Sequence, residues 1–258
     1  MLMTILAASV AMAVAMAAAW GVQRLTLRSG WVDTIWTFAT GLVGAGAALA
    51  LPREGSAPRA WLVATLALIW ALRLGLALML RTLKGGEDPR YLALRQAWGT
   101  REAWRLFWFL QIQAAASVAL VIAMLAAAQN NAPFVSLGDT LGVLAFGLGV
   151  VGAGLADAQM ARFRASQSGG VCQIGLWRYS RHPNYFFEWI AWLAYPLIAI
   201  GGEFAPLALI APGLIYWLLV HVSGIPPLEA HMLNSRGAAF ADYVKRTNAF
   251  FPWAQRDA

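Results

Sequence analysis

Residues 104–128 read WRLFWFLQIQAAASVALVIAMLAAA, and the only charge in that stretch is Arg105 near its start. A helix of about 20 apolar residues crosses the roughly 30 Å of hydrocarbon in a bilayer, so this run is long enough to span. Working outward from it, six further runs of similar character lie at 2–22, 31–51, 60–80, 138–156, 185–202 and 205–222. A closed β-barrel also satisfies its backbone in lipid, but it needs short alternating segments, whereas these runs are continuous and rich in Ala and Leu. The expected fold is therefore all-α: a polytopic membrane protein with seven transmembrane helices, cytoplasmic loops and an interfacial C-terminal helix. Composition agrees, since 60% of the 258 residues are hydrophobic and only 12% are charged, against about 25% charged in a soluble domain.

The basic residues fix an expected orientation. Arg24 and Arg28, the stretch Arg81 to Arg105, the stretch Arg162 to Arg181, and the tail Arg236 to Arg256 hold most of the cations, while 129–137 and 203–204 hold none and 52–59 holds only Arg53 and Arg59. The positive-inside rule puts the first group in the cytoplasm and the N-terminus outside. Run 2–22 has no basic segment before it, so it reads as a retained first helix rather than a cleaved signal. No repeat, low-complexity tract or long linker divides the chain, and 1–258 reads as one membrane domain.

Several functions are disfavoured at once. The single cysteine, Cys172, leaves no intrachain disulfide and no multi-cysteine metal site. Adjacent Glu87 and Asp88 lack further ligands, and no metal is expected. Walker, GxGxxG, HExxH and GxSxG patterns are absent. The net charge of +7 belongs with lipid headgroups and the cytoplasmic face rather than with nucleic acid.

The polar residues at the cytoplasmic ends carry the chemistry. In GLWRYSRHPNYFFEWIAW (175–192), Pro183 sits in the first turn of a helix, so Asn184 and Glu188 stack at i and i+4. Arg178 and Arg181 offer forked cations suited to phosphates. In GLADAQMARFRAS (154–166), Asp157 and Arg164 fall on nearly the same face of a continuing helix, with Arg162 beside them. A membrane-embedded acid without a partner is costly, which makes Asp157 a functional candidate, although simple pairing with Arg162 or Arg164 would also account for it. Asp33, at the head of the second run, is expected to meet Arg73 of the third, with Trp36 and Trp70 around it; burial there would keep a proton on the acid, although an ion pair that only positions the two helices would account for them equally. In the tail, Glu229 follows a double proline, and Phe240, Tyr243 and Val244 mark an amphipathic helix on the interface.

Three stretches, GLWRYSRHPNYFFEW (175–189), PPLE (226–229) and ADYVKRTNAFFPW (241–253), resemble the C-terminal region of the steroid 5α-reductase family, in particular its bacterial membrane branch. VDTIW (32–36) and GEDPRY (86–91) look like the same branch. The specific match covers about 155–253, with thinner support over 31–95. The resemblance implies a bacterial inner-membrane enzyme that binds NADPH from the cytosol and reduces an activated C=C bond of a lipophilic enone such as a 3-oxo-Δ4 steroid. It puts the family's motif positions on Asp157, Arg164, Asn184, Tyr185 and Glu188. With Arg90, Tyr91, Arg162, Tyr179, Arg181, His182, Glu229 and His231, these form the expected cofactor-binding set, while Asp33, Trp70 and Arg73 form the expected catalytic set. The eukaryotic enzymes hold the ketone with a Gln-Glu pair and a tyrosine; Asp33 and Trp70 are the nearest counterparts, so the phenol is missing at the matching position.

Two rival functions remain. Isoprenylcysteine methyltransferases also share an RHPxY stretch and a later glutamate, but their cofactor, S-adenosylmethionine, carries no phosphate, so the extra arginines favour the reductase. A transporter or scaffold would distribute polar residues across the membrane, and here they gather toward one face.

Overall fold

In a computed structural model of the chain, residues 1–50, 55–85, 89–166 and 170–256 are described, and among them every regular element is helical. The long elements are α1 (Leu2–Thr26), α2 (Gly30–Ala50), α3 (Ala57–Leu83), α5 (Glu102–Ala128) and α6 (Leu137–Ser166), with the shorter α4 (Pro89–Trp98) before α5. After α6 come α7 (Pro183–Trp192), α8 (Ala194–Ala199), α9 (Ala205–Ala208), α10 (Ile210–Trp217), α11 (Ile225–Arg236) and α12 (Ala238–Arg246). The chain is an integral membrane protein with six candidate spanning segments: Leu2–Thr26, Gly30–Ala50, Ala57–Leu83, Arg90–Ala128, Leu137–Ser166 and Ala205–Arg236. Its outward faces are apolar: Leu6, Val10 and Val14, spaced four apart on α1, are 51%, 64% and 63% exposed, the pattern expected where lipid is the solvent.

The expected seventh span, 185–202, is not one long helix. It is interrupted at Leu193, between α7 and α8. The cause is Pro196, which has no N–H to donate and whose ring crowds the carbonyl four residues earlier, that of Trp192, where α7 ends. Pro212 stands in the same relation to Ala208, the end of α9. A π-helical turn, Leu218–Val222, and the Pro226–Pro227 pair in the first turn of α11 complete the irregular C-terminal third.

The described residues form two compact units, Met1–Gly142 with Tyr195–Ala211, and Val143–Ala194 with Pro212–Ala258. In the first, α2 packs on α3 and both α2 and α5 pack on α1. Small residues permit the approach: a Cβ on Gly41 would lie 2.3 Å from the Cβ of Ala71. One end of this unit is tied by Arg24 and Arg95, both paired with Glu102, and by Arg28, which donates to the Thr82 carbonyl. The other end holds a buried knot. Arg59 has no exposed surface and grips Asp139 with two bonds of 2.7 and 2.8 Å. Its remaining N–H groups donate to the carbonyls of Asn130, Ala132 and Pro133. Asn130 in turn donates to the carbonyls of Ile198 and Ile200 at 2.7 and 3.0 Å. The three segments expected on the outer side, 52–59, 129–137 and 203–204, thus supply or adjoin one cluster, and Arg59, expected as a loop cation, is an interior residue of α3. Arg53 lies outside the described residues.

In the second unit α6 packs on α7 at glycine. A Cβ on Gly149 would sit 2.4 Å from the Ala191 nitrogen and 2.6 Å from the Phe187 oxygen, and backbone atoms have little room to yield. Gly149→Ala is therefore expected to destabilise by about 1–3 kcal/mol. Gly147→Ala, whose Cβ would meet nothing within 4 Å, should be neutral or stabilising, by up to about 1 kcal/mol of helix propensity. Thermal melts of the two variants in detergent test the pair, and equal melts would contradict the contact.

Candidate functional site

Polar side chains gather in each unit. In the first, Asp33 sits in the first turn of α2 and accepts two hydrogen bonds: Arg90 Nη2 donates to Oδ2 at 2.6 Å and Tyr91 Oη donates to Oδ1 at 2.8 Å. Both donors come from the start of α4, so the observed cation for Asp33 is Arg90, where Arg73 was expected. Arg90 also lies over the Tyr91 ring at 5.9 Å. Tyr91, expected in the cofactor-binding set, donates its phenol hydrogen to Asp33 of the expected catalytic set. Trp70 is buried at 2% exposure and packs edge-on against Trp36 at 6.0 Å. Its indole serves this aromatic wall, while Arg73 is half-buried one turn further along α3.

Residues of α5 extend the cluster. Gln113 Nε2 approaches Tyr91 Oη at 3.5 Å, the outer limit of a hydrogen bond, and Gln113 Oε1 is buried without a hydrogen-bond partner among the described residues. One turn on, Ser117 Oγ accepts from Trp36 Nε1 at 2.6 Å. Neither Gln113 nor Ser117 was singled out from the sequence. The available signal was their position inside the apolar run 104–128, where any polar side chain needs a partner.

In the second unit α6 continues to Ser166, as the spacing of Asp157 and Arg164 requires. Asp157 accepts a hydrogen bond of 3.2 Å from Asn184 Nδ2, which joins the two motifs across α6 and α7. Glu188 lies one turn beyond Asn184, and Asn184, Tyr185 and Glu188 are all half-buried. Arg162, Arg164 and Arg178 are exposed, and none has a hydrogen-bond or ion-pair partner among the described residues. Gln159 Oε1 accepts from the Leu176 N–H at 2.9 Å and so pins the 175–178 turn, whose Gly175 has φ of +57°. That sign of φ suits glycine because it has no Cβ to collide with the backbone.

Part of the expected cofactor set is engaged elsewhere. Arg181 holds Glu229 with two bonds of 2.7 and 3.0 Å and donates to the carbonyls of Val244 and Thr247. His182 Nε2 lies 2.9 Å from the same carboxylate, and its ring stacks on Tyr185 at 5.5 Å. A guanidinium with this many acceptors ties the C-terminal segment to the start of α7, with Glu229 shared by Arg181 and His182. His231 lies two residues further along α11, on another face, and is exposed; Tyr179 is 47% exposed. Among the described residues no group of three or more His, Cys, Asp or Glu gathers as for a metal, and Glu87 and Asp88 lie outside them.

The amphipathic tail helix exists as α12, but its apolar face is covered by protein: Phe240 and Tyr243 are 3% and 2% exposed. The reason is polar as well as apolar, since Tyr243 Oη donates to the carbonyls of Trp177 and Ser180. Burial pushes the Tyr243 phenol above its ordinary value. A neutral group whose folded pKa is raised stabilises the fold at all lower pH and loses that stability as pH climbs past the unfolded value of about 10. Wild-type melting temperature should therefore fall above about pH 10, and Tyr243→Phe should flatten this slope while melting lower at pH 7. A variant that keeps the alkaline slope would exclude Tyr243 as its source.

A family model described as protein of unknown function (DUF1295) matches residues 19–247, which takes in α2 to α12 and both polar clusters. The chain belongs to the DUF1295 family. No curated protein and no solved structure matches it. The DUF1295 match runs through Asp33, Tyr91, Asp157, Asn184 and Glu229, so the clusters of both units lie inside the family's own boundaries.

Proposed function

We propose that this DUF1295 protein is an NADPH-dependent reductase of an activated C=C bond in a lipophilic enone, with a 3-oxo-Δ4 steroid as the substrate that the resemblance implies. The observation that carries this reading is the Asp157–Asn184 hydrogen bond on a helix that also bears Arg162 and Arg164, which have no hydrogen-bond or ion-pair partner among the described residues. An acid and an amide held together present the acceptor and donors that ribose hydroxyls and a carboxamide require. Such arginines present forked donors to phosphate oxygens, and their surplus favours the additional phosphate of NADPH over NADH. These residues fit the group. When bound, the dinucleotide would supply the hydride that reaches the β-carbon.

The first unit carries a candidate acid of its own. Tyr91 Oη donates to Asp33 Oδ1 at 2.8 Å, which holds the phenol in place. Its hydroxyl is the group that would turn its hydrogen to a ketone oxygen, where negative charge develops during reduction. Arg90 holds the far carboxylate oxygen and sets the orientation. Polarising the ketone in this way makes the β-carbon electrophilic.

The same proposal includes orientation: N-terminus outside, C-terminus cytoplasmic, in a bacterial inner membrane. In this proposal 185–202 is kept as a seventh crossing interrupted at Leu193. In the test, NADPH in hundredfold excess over its Kd should stabilise the detergent-purified protein by about 2.7 kcal/mol, and S-adenosylmethionine should not. Arg162→Gln with Arg164→Gln should abolish that shift while the unliganded melt stays put. A shift with S-adenosylmethionine alone would select the methyltransferase, and a shift with neither would dismiss both enzymes.

A further inference from the structure

We propose that the tryptophan-lined groove where α4 hands over to α5 binds one anionic phospholipid. The groove, about 340 Å³, is lined by Trp98, Trp104, Arg105, Trp108, Phe109 and Ile112. Trp104, Trp108 and Ile112 are spaced four apart, so they form one face of α5. They are 64%, 49% and 68% exposed, in a segment apolar enough to span the membrane. The walls are braced by ring contacts: Trp104 on Trp108 at 5.4 Å and Trp98 on Phe109 at 5.9 Å. An apolar trough on a spanning helix is solvated by acyl chains.

Charge at the head of the trough selects the headgroup. Around the start of α5 the sequence carries Arg95, Arg101 and Arg105 beside a single acid, Glu102, and Arg24 of α1 pairs with that acid. Glu102 is taken by Arg95 at 2.8 Å and Arg24 at 3.6 Å. Arg101 and Arg105 are exposed and have no hydrogen-bond or ion-pair partner among the described residues. They are one turn apart, and each lies three residues before a groove tryptophan, Trp104 or Trp108, so both cations sit at one end of the apolar face. A phosphodiester with a net negative charge and a long acyl chain satisfies both parts. A zwitterionic lipid brings its own cation to the arginines, and a soluble phosphate leaves the trough uncovered. Anionic lipids are concentrated in the cytoplasmic leaflet and gain about 1 kcal/mol per nearby Lys or Arg. The leaflet rests on the orientation proposed above, and the site on no part of the reductase chemistry.

The probe is phosphatidylglycerol brominated along its acyl chain, titrated into the full chain in detergent and read by quenching of tryptophan fluorescence, with brominated phosphatidylcholine alongside. Saturable quenching should reach its midpoint at a lower concentration of phosphatidylglycerol. Arg101→Gln and Arg105→Gln should each shift that midpoint about fivefold toward the phosphatidylcholine value. Trp104→Phe with Trp108→Phe should remove most of the saturable signal. Equal midpoints for the two lipids, an unchanged preference in the double glutamine variant, or loss of quenching on adding inorganic phosphate alone would each overturn the site. All four positions are on the surface, so the variants should fold.

Discussion

Arg59→Ala should be the most damaging single substitution in the molecule, at about 3–5 kcal/mol, because it strands a buried carboxylate. Asp139 is 4% exposed, and its other partners are the Ser136 N–H and hydroxyl at 2.9 and 3.0 Å. Those two dipoles cannot replace a bidentate guanidinium. The carbonyls of Asn130, Ala132 and Pro133 would lose their donor at the same time. For a chain of this length the loss corresponds to a fall of about 10 °C in melting temperature. The double variant Arg59→Leu with Asp139→Leu separates pairing from desolvation. A buried pair removed whole costs less than a pair cut in half, so the double variant should melt above Arg59→Ala. If the double variant is the worse of the two, the pair contributes net stability and the desolvation argument fails.

On the proposed reductase reading, Tyr91→Phe should have the largest effect on activity while leaving the fold intact. Loss of one preorganised donor to a developing oxyanion typically costs about a hundred- to a thousandfold in kcat. The phenol is buried, but its ring contacts with Phe109 and the core around Leu106 and Leu110 survive in phenylalanine. The measurement is turnover of a 3-oxo-Δ4 steroid with NADPH by detergent-solubilised protein, alongside the melt. Trp70→Phe, which retains an aromatic against Trp36, should change turnover far less. A Tyr91→Phe enzyme with wild-type kcat would remove the phenol from the chemistry, whatever the fate of the cofactor site.

Much of the fold was legible because lipid removes alternatives. Apolar run length identifies a spanning helix with few competing explanations, and five of the seven runs appear as single long helices, α1, α2, α3, α5 and α6. The run 205–222 lies in a spanning segment assembled from α9, α10 and the π turn. The run 185–202 failed as one helix because hydropathy counts Pro196 as tolerable, whereas the backbone loses a hydrogen bond there. The pairing of the 154–166 and 175–192 motifs was legible in outline, and the Asp157–Asn184 bond is its geometry. Illegible were the partners chosen by the polar groups. Asp33 could be read against any nearby cation, and only the placement of α4 selects Arg90 and Tyr91. Arg181, His182 and Glu229 carried the resemblance to a cofactor-binding motif, yet they grip one another, since residues 47 and 48 positions apart are brought together by the fold.

From its sequence alone, this protein was determined to be helical and membrane-embedded, because hydrophobic run length acts locally and each residue contributes independently. Membership of the polar clusters was decided only by tertiary structure. A charge buried in a low-dielectric interior must find a partner wherever the helices bring one, and which helices meet depends on the packing of small residues such as Gly41 and Gly149 along their whole length.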